Sequence, residues 1–102
     1  MLNKIAAAHS DKETTIIIKG RFIFDLHPQF RAAYLVGSDQ DNRRYTIDMG
    51  GVEYIDSSAI GMLLMMREET AATNENITIV KASPTVLKAL KMVGFDQLFT
   101  IL

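Results

Sequence analysis

The sequence predicts an α/β fold: an N-terminal hairpin, then alternating strands and helices, with a mostly parallel sheet of four to five strands and the helices packed on it. Two observations predict it. Short β-branched runs recur along the chain, and segments with apolar residues at three- and four-residue spacing separate them. This alternation favours right-handed crossovers between parallel strands. The 102 residues suffice for one domain, residues 1–102, and are too few for two.

The first part of the chain predicts the hairpin and one helix. Residues 3–9 fit an edge strand, and a polar turn separates them from residues 14–19, which contain five β-branched residues in a row. The three consecutive isoleucines in that run predict burial on both faces of the strand. Pro28 suits a first helical turn, and the apolar spacing after it predicts a helix over residues 28–36 that stops at Gly37.

The rest of the chain alternates strands with helices. The predicted elements are, in order, a strand at 44–49, a glycine-containing connection at 49–55, a helix from Ser57 or Ser58 to about Thr73, a strand at 77–81, a helix opened by Ser83 and Pro84, a helical turn at 95–98 and a last strand at 99–102. In parallel sheets, functional residues gather where strands end and helices begin. The junctions at 20–28 and 49–61 are therefore the candidate sites.

Charge and composition exclude several classes of function. The formal net charge is −1, with +1 on residues 1–50 and −2 on residues 51–102, and there is no basic stripe. Nucleic-acid binding therefore lacks its main electrostatic attraction. No run approaches the length of a membrane span, and the apolar stretch at residues 5–8 is too short for a signal peptide. We expect a cytoplasmic protein that contacts neither nucleic acid nor membrane.

The sequence offers no catalytic or metal-binding constellation. It has no cysteine, and no metal-ligand spacing connects His9 or His27 to carboxylates. Gly50 and Gly51 lack the lysine and the spacing of a phosphate-binding loop. No Gly-x-Ser-x-Gly elbow surrounds the serines at 57 and 58, and no base stands near them in sequence. We expect neither a metal nor another cofactor, and no enzymatic activity.

The run Asp56-Ser57-Ser58 has the composition of a helix start. Asp and Ser are preferred N-cap residues because their oxygens accept the free N–H groups of the first turn. A phosphate on a serine there would add about −1.5 to −2 charge near the positive end of the helix, but Asp56 would repel it. Such a modification would change a docking surface without unfolding the helix. The plain alternative is that the three residues only cap a helix.

The surrounding residues resemble a known family. The stretch Gly50-Gly51-Val52-Glu53-Tyr54-Ile55-Asp56-Ser57-Ser58-Ala59-Ile60-Gly61 is similar to the signature of STAS domains, in which Asp-Ser-Ser or Asp-Ser-Thr precedes a small residue, an aliphatic residue and glycine. Residues 20–25, 84–90 and 93–96 resemble other segments of the family, so the likeness covers nearly the whole chain. Two departures are the bulky Arg-Phe-Ile-Phe at 21–24 and Ala59 where many members have glycine.

The resemblance implies a function of the anti-sigma factor antagonist type. Such a domain binds an anti-sigma factor that is also a serine kinase of the GHKL type, and phosphorylation of the serine after the motif's aspartate releases it. That serine is Ser57 here, with Ser58 as second choice. A metal-dependent serine phosphatase restores binding. Asp25 and Asp56 match acidic positions near the kinase-facing site, and the predicted partner-binding set also includes Gly50, Gly51, Ser58 and Gly61.

The helix after the motif adds a hypothesis about the docking face. Residues 59–66 are apolar without interruption, although a helix packed on a sheet needs one apolar stripe. If Ile60, Leu63 and Leu64 supply that stripe, Met62, Met65 and Met66 point partly elsewhere. In this hypothesis Met62 and Met66, with Gly61, border the docking face. Methionine is common at adaptable protein surfaces. The alternative is that neighbouring helices bury both methionines.

Two other classes of function stay open at this point. The domain could be a constitutive STAS subunit of a multiprotein complex, for lipid transport or sensing, without regulation by phosphorylation. It could also be a small nucleotide-binding or catalytic α/β domain, although phosphate-cradling and acid–base groups are missing from the sequence. A free domain of this kind is expected to be a monomer.

Overall fold

The computed structural model describes residues 2–102 and contains the predicted strands and helices in the predicted order. The predicted domain also includes Met1, which lies outside the described residues. The elements are β1 (Lys4–His9), β2 (Glu13–Phe22), α1 (His27–Leu35), β3 (Arg44–Ile55), α2 (Ser57–Thr70), β4 (Ile77–Val80), α3 (Pro84–Met92) and β5 (Thr100–Ile101), with 3₁₀ turns at Phe24–Leu26 and Phe95–Gln97.

The strands lie in the sheet in the order of the chain, β1-β2-β3-β4-β5. β1 is antiparallel to β2, which confirms the hairpin, and all later neighbours are parallel. Because the parallel strands advance in one direction across the sheet, right-handed crossovers place α1, α2 and α3 on one face. Side chains from that face and from all three helices form one buried apolar cluster.

Within residues 2–102, no helix covers the other face of the sheet, and this corrects the prediction for the isoleucine run. Ile16 and Ile18 are fully buried in the core, whereas Ile17 points to the opposite face and is half-buried. Successive side chains of a strand alternate between faces, so three isoleucines in a row need not mean two covered faces. The uncovered face carries a row of partly exposed threonines on four neighbouring strands: Thr15, Thr46, Thr78 and Thr100.

The prediction that residues 49–55 form a connection is wrong. β3 continues through Gly50 and Gly51 to Ile55, because β2 is equally extended and supplies a partner along this stretch. The pairing register shifts between Ile17 and Lys19 and again after Gly20, and at each shift β3 has one residue more than β2. Glycine weakens a strand, but pairing with a long neighbour overrides that local preference.

The predicted exposure of Met62 and Met66 is also wrong. Met62 is 2% exposed and Met66 is 0% exposed, and both belong to the core together with Leu63. The side chains of α2 that reach solvent are Leu64 and Met65, each 41% exposed. An uninterrupted apolar run contains no polar residue to mark the outer side. The alternative weighed for the two methionines, burial, therefore holds.

Candidate functional site

The candidate site is the amino end of α2, where β3 passes directly into the helix. Asp56 has extended backbone angles and caps the helix: its Oδ1 accepts hydrogen bonds from the N–H groups of Ser58 (2.9 Å) and Ala59 (3.1 Å). These bonds satisfy donors that otherwise lack partners in a first helical turn. The cap therefore fixes the backbone on both sides of Ser57.

Asp56 is held as a carboxylate. The Ser58 hydroxyl donates a hydrogen bond to it at 2.5 Å, which lowers the pKa of the Asp56 carboxyl. Desolvation opposes this effect, and the backbone N–H groups of Ala59 and Ser58 add to the lowering. A negative charge is thus fixed beside the two serine hydroxyls at neutral pH.

The two serines differ in their surroundings. The Ser58 side chain is half-buried and its hydroxyl is engaged with Asp56. The Ser57 side chain is exposed, and it makes no hydrogen bond to any residue within 2–102. A modifying enzyme could therefore reach the Ser57 hydroxyl without breaking an interaction of the fold.

The histidines contact other parts of the molecule. His9 Nδ1 lies 3.1 Å from the hydroxyl oxygen of Thr14, and His27 Nε2 lies 3.4 Å from Met65 Sδ. Neither imidazole contacts Ser57 or Ser58 in these arrangements. An activated serine nucleophile needs a base within hydrogen-bond reach, and in these contacts neither imidazole lies beside a serine of the site.

An exposed stripe runs along α2 from Ser57. Gly61, Leu64, Met65 and Glu68 follow Ser57 at intervals of three and four residues, which places them on one side of a helix, and all five are exposed. A Cβ added to Gly61 would meet no atom of the described chain within 4 Å. This α2 stripe is apolar in its middle and polar at both ends. The sequence reasoning correctly directed Met65 away from the sheet but left it out of the docking face, and it wrongly assigned Leu64 to the buried stripe. The three- and four-residue spacing from Ser57 places both on the exposed side.

The 3₁₀ turn after β2 lies against the α2 stripe. The rings of Phe24 and His27 stack with centroids 5.1 Å apart, and His27 touches Met65 on α2. Asp25, in the same turn, is exposed. Because Phe22 and Ile55 are register partners at the ends of β2 and β3, the predicted residues Asp25 and Asp56 start from adjacent strand ends. Phe24 was not predicted as a site residue.

Gly50 and Gly51 lie within β3, before the site. A Cβ on Gly51 would come within 2.9 Å of Lys19 Cγ, so this glycine lets the Lys19 side chain cross the strand. The N–H of Gly50 donates to Asp48 Oδ1 at 2.8 Å. A Cβ on Gly50 would lie 3.1 Å from the same Asp48 oxygen, so both glycines stand where a side chain would be crowded. Their place in a partner surface stays a prediction.

Comparison with known proteins agrees with the sequence resemblance. The family model described as "Mlab, STAS domain" matches residues 5–102. A STAS-domain containing protein of Pseudomonas aeruginosa (strain UCBPP-PA14) is 43% identical over 90 residues, which are 88% of each chain.

Solved structures share the fold. An anti-sigma factor antagonist from Mycobacterium paratuberculosis has a TM-score of 0.77 and 19% identity, over 98% of this chain and 85% of that chain. The Bacillus cell fate determinant SpoIIAA in its phosphorylated form has a TM-score of 0.70 and 17% identity, over 97% and 91%. In residues 2–102, no helix has the length and apolar character needed to cross a membrane.

Proposed function

The chain belongs to the STAS domain family, and from this premise we propose that it is an anti-sigma factor antagonist. In this proposal the domain binds an anti-sigma factor that is also a GHKL-type serine kinase when Ser57 is unmodified, and releases it when Ser57 is phosphorylated. A metal-dependent serine phosphatase restores binding. The domain is then a cytoplasmic substrate of both enzymes, without catalysis of its own, and a monomer when free.

The observation that carries the proposal is the difference between the two serine hydroxyls. Ser58 is committed to the Asp56 cap, whereas Ser57 is exposed and free of partners within residues 2–102. Phosphorylation of Ser58 would cost the fold a hydrogen bond to an ionised carboxylate. Phosphorylation of Ser57 costs the fold no such bond, which supports Ser57 as the modified residue.

A phosphate on Ser57 would act on the surface and not on the fold. The N–H groups of Ser58 and Ala59, which would otherwise attract an anion to the helix start, are already bonded to Asp56. The phosphate would also meet the Asp56 charge at the neighbouring residue, and like charges repel. It would therefore project into solvent as a group of about −1.5 to −2 charge.

The α2 stripe supplies the docking surface in this proposal. A partner lying on Leu64 and Met65 would pass over Gly61, where no side chain obstructs it, and would reach Ser57 at the end of the stripe. Burial of this surface against an apolar partner is favourable only while Ser57, at the end of the stripe, carries no charge. Burying a phosphate without a cationic partner would make the complex unfavourable. Asp25 and Phe24 extend the same surface across the 3₁₀ turn.

The proposal is tested by phosphate mapping and by partner capture. The chain is purified from its own cells with phosphatases inhibited, and phosphate at Ser57 and Ser58 is mapped by mass spectrometry. Immobilised chains are then incubated with lysate of the same cells: the unmodified chain, a chain with phosphoserine in place of Ser57, and Ser57→Ala. We expect the unmodified chain and Ser57→Ala to retain a protein with both a kinase and a sigma-binding activity, and the phosphorylated chain to lose it.

Ser83→Ala is the matched control. Ser83 caps α3 by accepting the N–H of Val86 at 3.2 Å, so this variant loses a serine hydroxyl at the start of a different helix and should still capture the partner. Phosphate at Ser58 alone would move the switch by one residue. Equal capture by the unmodified and phosphorylated chains would contradict the switch.

The second candidate is a constitutive STAS subunit of a multiprotein complex. The family model that matches the chain carries the description Mlab, and the α2 stripe would serve a permanent contact equally well. This candidate predicts stable co-purification with the same subunits under all growth conditions. It also predicts that phosphoserine at position 57 leaves those subunits bound.

A further inference from the structure

The α2 stripe contains a reactive group that the proposed docking role does not use, the thioether of Met65. The chain has no cysteine, so reversible oxidation by mild oxidants falls on its methionines. Met65 is 41% exposed, whereas Met49, Met62 and Met66 are buried in the core. The fold therefore shields three methionines and leaves this one open to small molecules in solution.

Met92 is the other exposed methionine within residues 2–102, at 77% exposure. It is the last residue of α3, a different helix from the one that forms the α2 stripe. Oxidation of Met65 would change the proposed docking surface, and oxidation of Met92 would change α3. The chain therefore contains its own control for a general effect of oxidation.

The sulfur of Met65 has a polar neighbour. Its Sδ lies 3.4 Å from His27 Nε2, and the His27 ring stacks on Phe24 with centroids 5.1 Å apart. A thioether sulfur is a weak hydrogen-bond acceptor, whereas a sulfoxide oxygen is strongly polar. An oxygen added to Sδ would lie beside an imidazole nitrogen. Oxidation would therefore also change the surroundings of His27 and Phe24, where the surface crosses the 3₁₀ turn.

The chemical step needs a peroxide as its only co-reactant. A lone pair of the sulfur attacks one oxygen of hydrogen peroxide, so that an S–O bond forms and the O–O bond breaks. The second oxygen leaves as hydroxide and takes up the remaining proton to become water. The sulfur loses two electrons and the peroxide gains them. The product is methionine sulfoxide, which methionine sulfoxide reductases convert back to methionine.

We propose that Met65 is a site of reversible oxidation by peroxide, and that its sulfoxide weakens binding of the partner to the α2 stripe. This inference rests on the proposed function, because the partner is the one bound there. Oxidation is then a second control of the same surface, at a different residue from Ser57. A bound partner would cover Met65, so the free chain is the form that is oxidised.

The physical reason is the polarity of the sulfoxide. Oxidation converts a flexible apolar side chain into a polar one, and burying a polar group without enough hydrogen-bond donors is unfavourable. His27 supplies at most one N–H to an oxygen with several lone pairs, and an apolar partner supplies none. In the free chain the same oxygen is hydrated, because Met65 is exposed. The fold is therefore retained while binding weakens.

The first test needs no partner. The full chain and the variants Met65→Leu and Met92→Leu are treated with hydrogen peroxide and desalted, and sulfoxide is mapped by mass spectrometry. We expect oxidation at Met65 and Met92, with the core methionines oxidised about tenfold or more slowly because native packing admits little peroxide. In NMR spectra, the signals of His27 and Phe24 should shift on oxidation of the wild type and of Met92→Leu, and stay in place in Met65→Leu.

The second test measures partner retention in chains that carry Ser57→Ala, so that phosphorylation of that residue cannot contribute. The immobilised chain is oxidised, freed of peroxide and incubated with lysate of the same cells. We expect it to retain roughly tenfold less of the kinase and sigma-binding protein than the reduced chain. Methionine sulfoxide reductases that act on both epimers should restore retention. Adding Met92→Leu should leave this loss in place, whereas the amount that a Met65→Leu chain retains should not change with peroxide.

Four results would count against the inference. A Met65 that stays reduced while Met92 is oxidised would remove the modification site. Equal retention by oxidised and reduced chains would leave the proposed function intact and remove Met65 as its regulator. A loss of retention in oxidised Met65→Leu as large as in the parent would assign the effect to another residue. A reduced chain that retains no such protein would contradict the proposed function, and with it the effect on binding, while the peroxide mapping still decides the reactivity of Met65.

Discussion

The two sides of α2 have similar composition, but one side is buried in the core and the other faces solvent. The inner side contributes Ala59, Met62, Leu63 and Met66, all essentially inaccessible to solvent, whereas the outer side presents Ser57, Gly61, Leu64 and Met65. Both sides carry leucine and methionine. The difference teaches that residue type does not assign a role on this helix. The role of each residue is assigned by the orientation of the helix, which the Asp56 cap and the sheet beneath it set.

The adjacent residues Met66 and Met65 give the largest expected contrast. Met66→Ala should lower the free energy of unfolding by about 2–5 kcal/mol, because it leaves a cavity in the core. Met65→Ala should lower it by about 1 kcal/mol or less, since that side chain is 41% exposed. Urea denaturation of both variants measures the difference. Equal losses would mean that α2 is rotated from the orientation described.

The cap of α2 gives the next largest effect. Asp56→Ala should cost about 0.5–2 kcal/mol of stability, because the N–H groups of Ser58 and Ala59 lose their acceptor. Ser57→Ala should leave stability nearly unchanged, since its hydroxyl is free of partners in the described chain. Thermal unfolding of the pair checks this. A comparable loss in Ser57→Ala would show that this hydroxyl supports the fold and would weaken its role as a switch.

A pH-dependent effect on stability is expected at the carboxyl end of α2, where Glu69 contacts α1. Its carboxylate accepts hydrogen bonds from Arg31, at 2.7 Å from Nη2, and from the buried Tyr34 hydroxyl. These contacts lower the pKa of Glu69 to about 2, and the Arg31 hydrogen bond contributes most. A carboxyl whose pKa is lowered by folding stabilises the fold above its unfolded pKa, and this contribution is lost as the pH falls towards 2.

Glu69→Gln tests that contact. Urea midpoints of the wild type and the variant should differ by a constant amount above about pH 5. They should converge as the pH approaches 2. Glu68→Gln is the matched control, because Glu68 is a neighbouring exposed acid for which no salt bridge is formed within residues 2–102. A difference in urea midpoint between the wild type and Glu69→Gln that stays the same at every pH would contradict an ionic contribution.

The smallest expected effect on stability is at Gly61, and its sign is the informative part. Gly61→Ala should stabilise the domain by about 0.5–1 kcal/mol, because alanine is the better helix former and its Cβ meets no atom of the described chain within 4 Å. Partner capture should weaken at the same time if a partner lies close on the α2 stripe. Thermal unfolding and capture from lysate measure the two effects. A destabilised variant would mean that the space above Gly61 is occupied.

The sequence predicted the order of elements because that order depends on local patterns. The β-branched run before Gly20 and the Ser83-Pro84 helix start each carry their own signal, and both are found where predicted. The length of β3 could not be predicted in this way. Its second half is held by pairing with Lys19 to Phe22, a contact between distant segments that overrides the weakness of two glycines.

The site was predicted unevenly for a similar reason. The Asp56 cap follows from residue types at a helix start, whereas the choice between Ser57 and Ser58 depends on which hydroxyl the cap engages. Which side of α2 faces solvent was not predicted correctly, because residues 59–66 contain no polar residue that would indicate the exposed side. The contact of Met65 with His27 joins residues 38 positions apart in the chain, so no spacing in the sequence indicates it.

The sequential strand order has a consequence for how the chain reaches this structure. Each strand pairs only with the strands before and after it in the chain, so no strand has to enter between two that are already paired. The sheet can grow by addition at one edge as the polypeptide leaves the ribosome. Synthesis completes the hairpin of β1 and β2 before any later strand, and it completes each helix before the strand that follows it. The two-residue strand β5 then ends the sheet with a short edge that offers little backbone for aggregation.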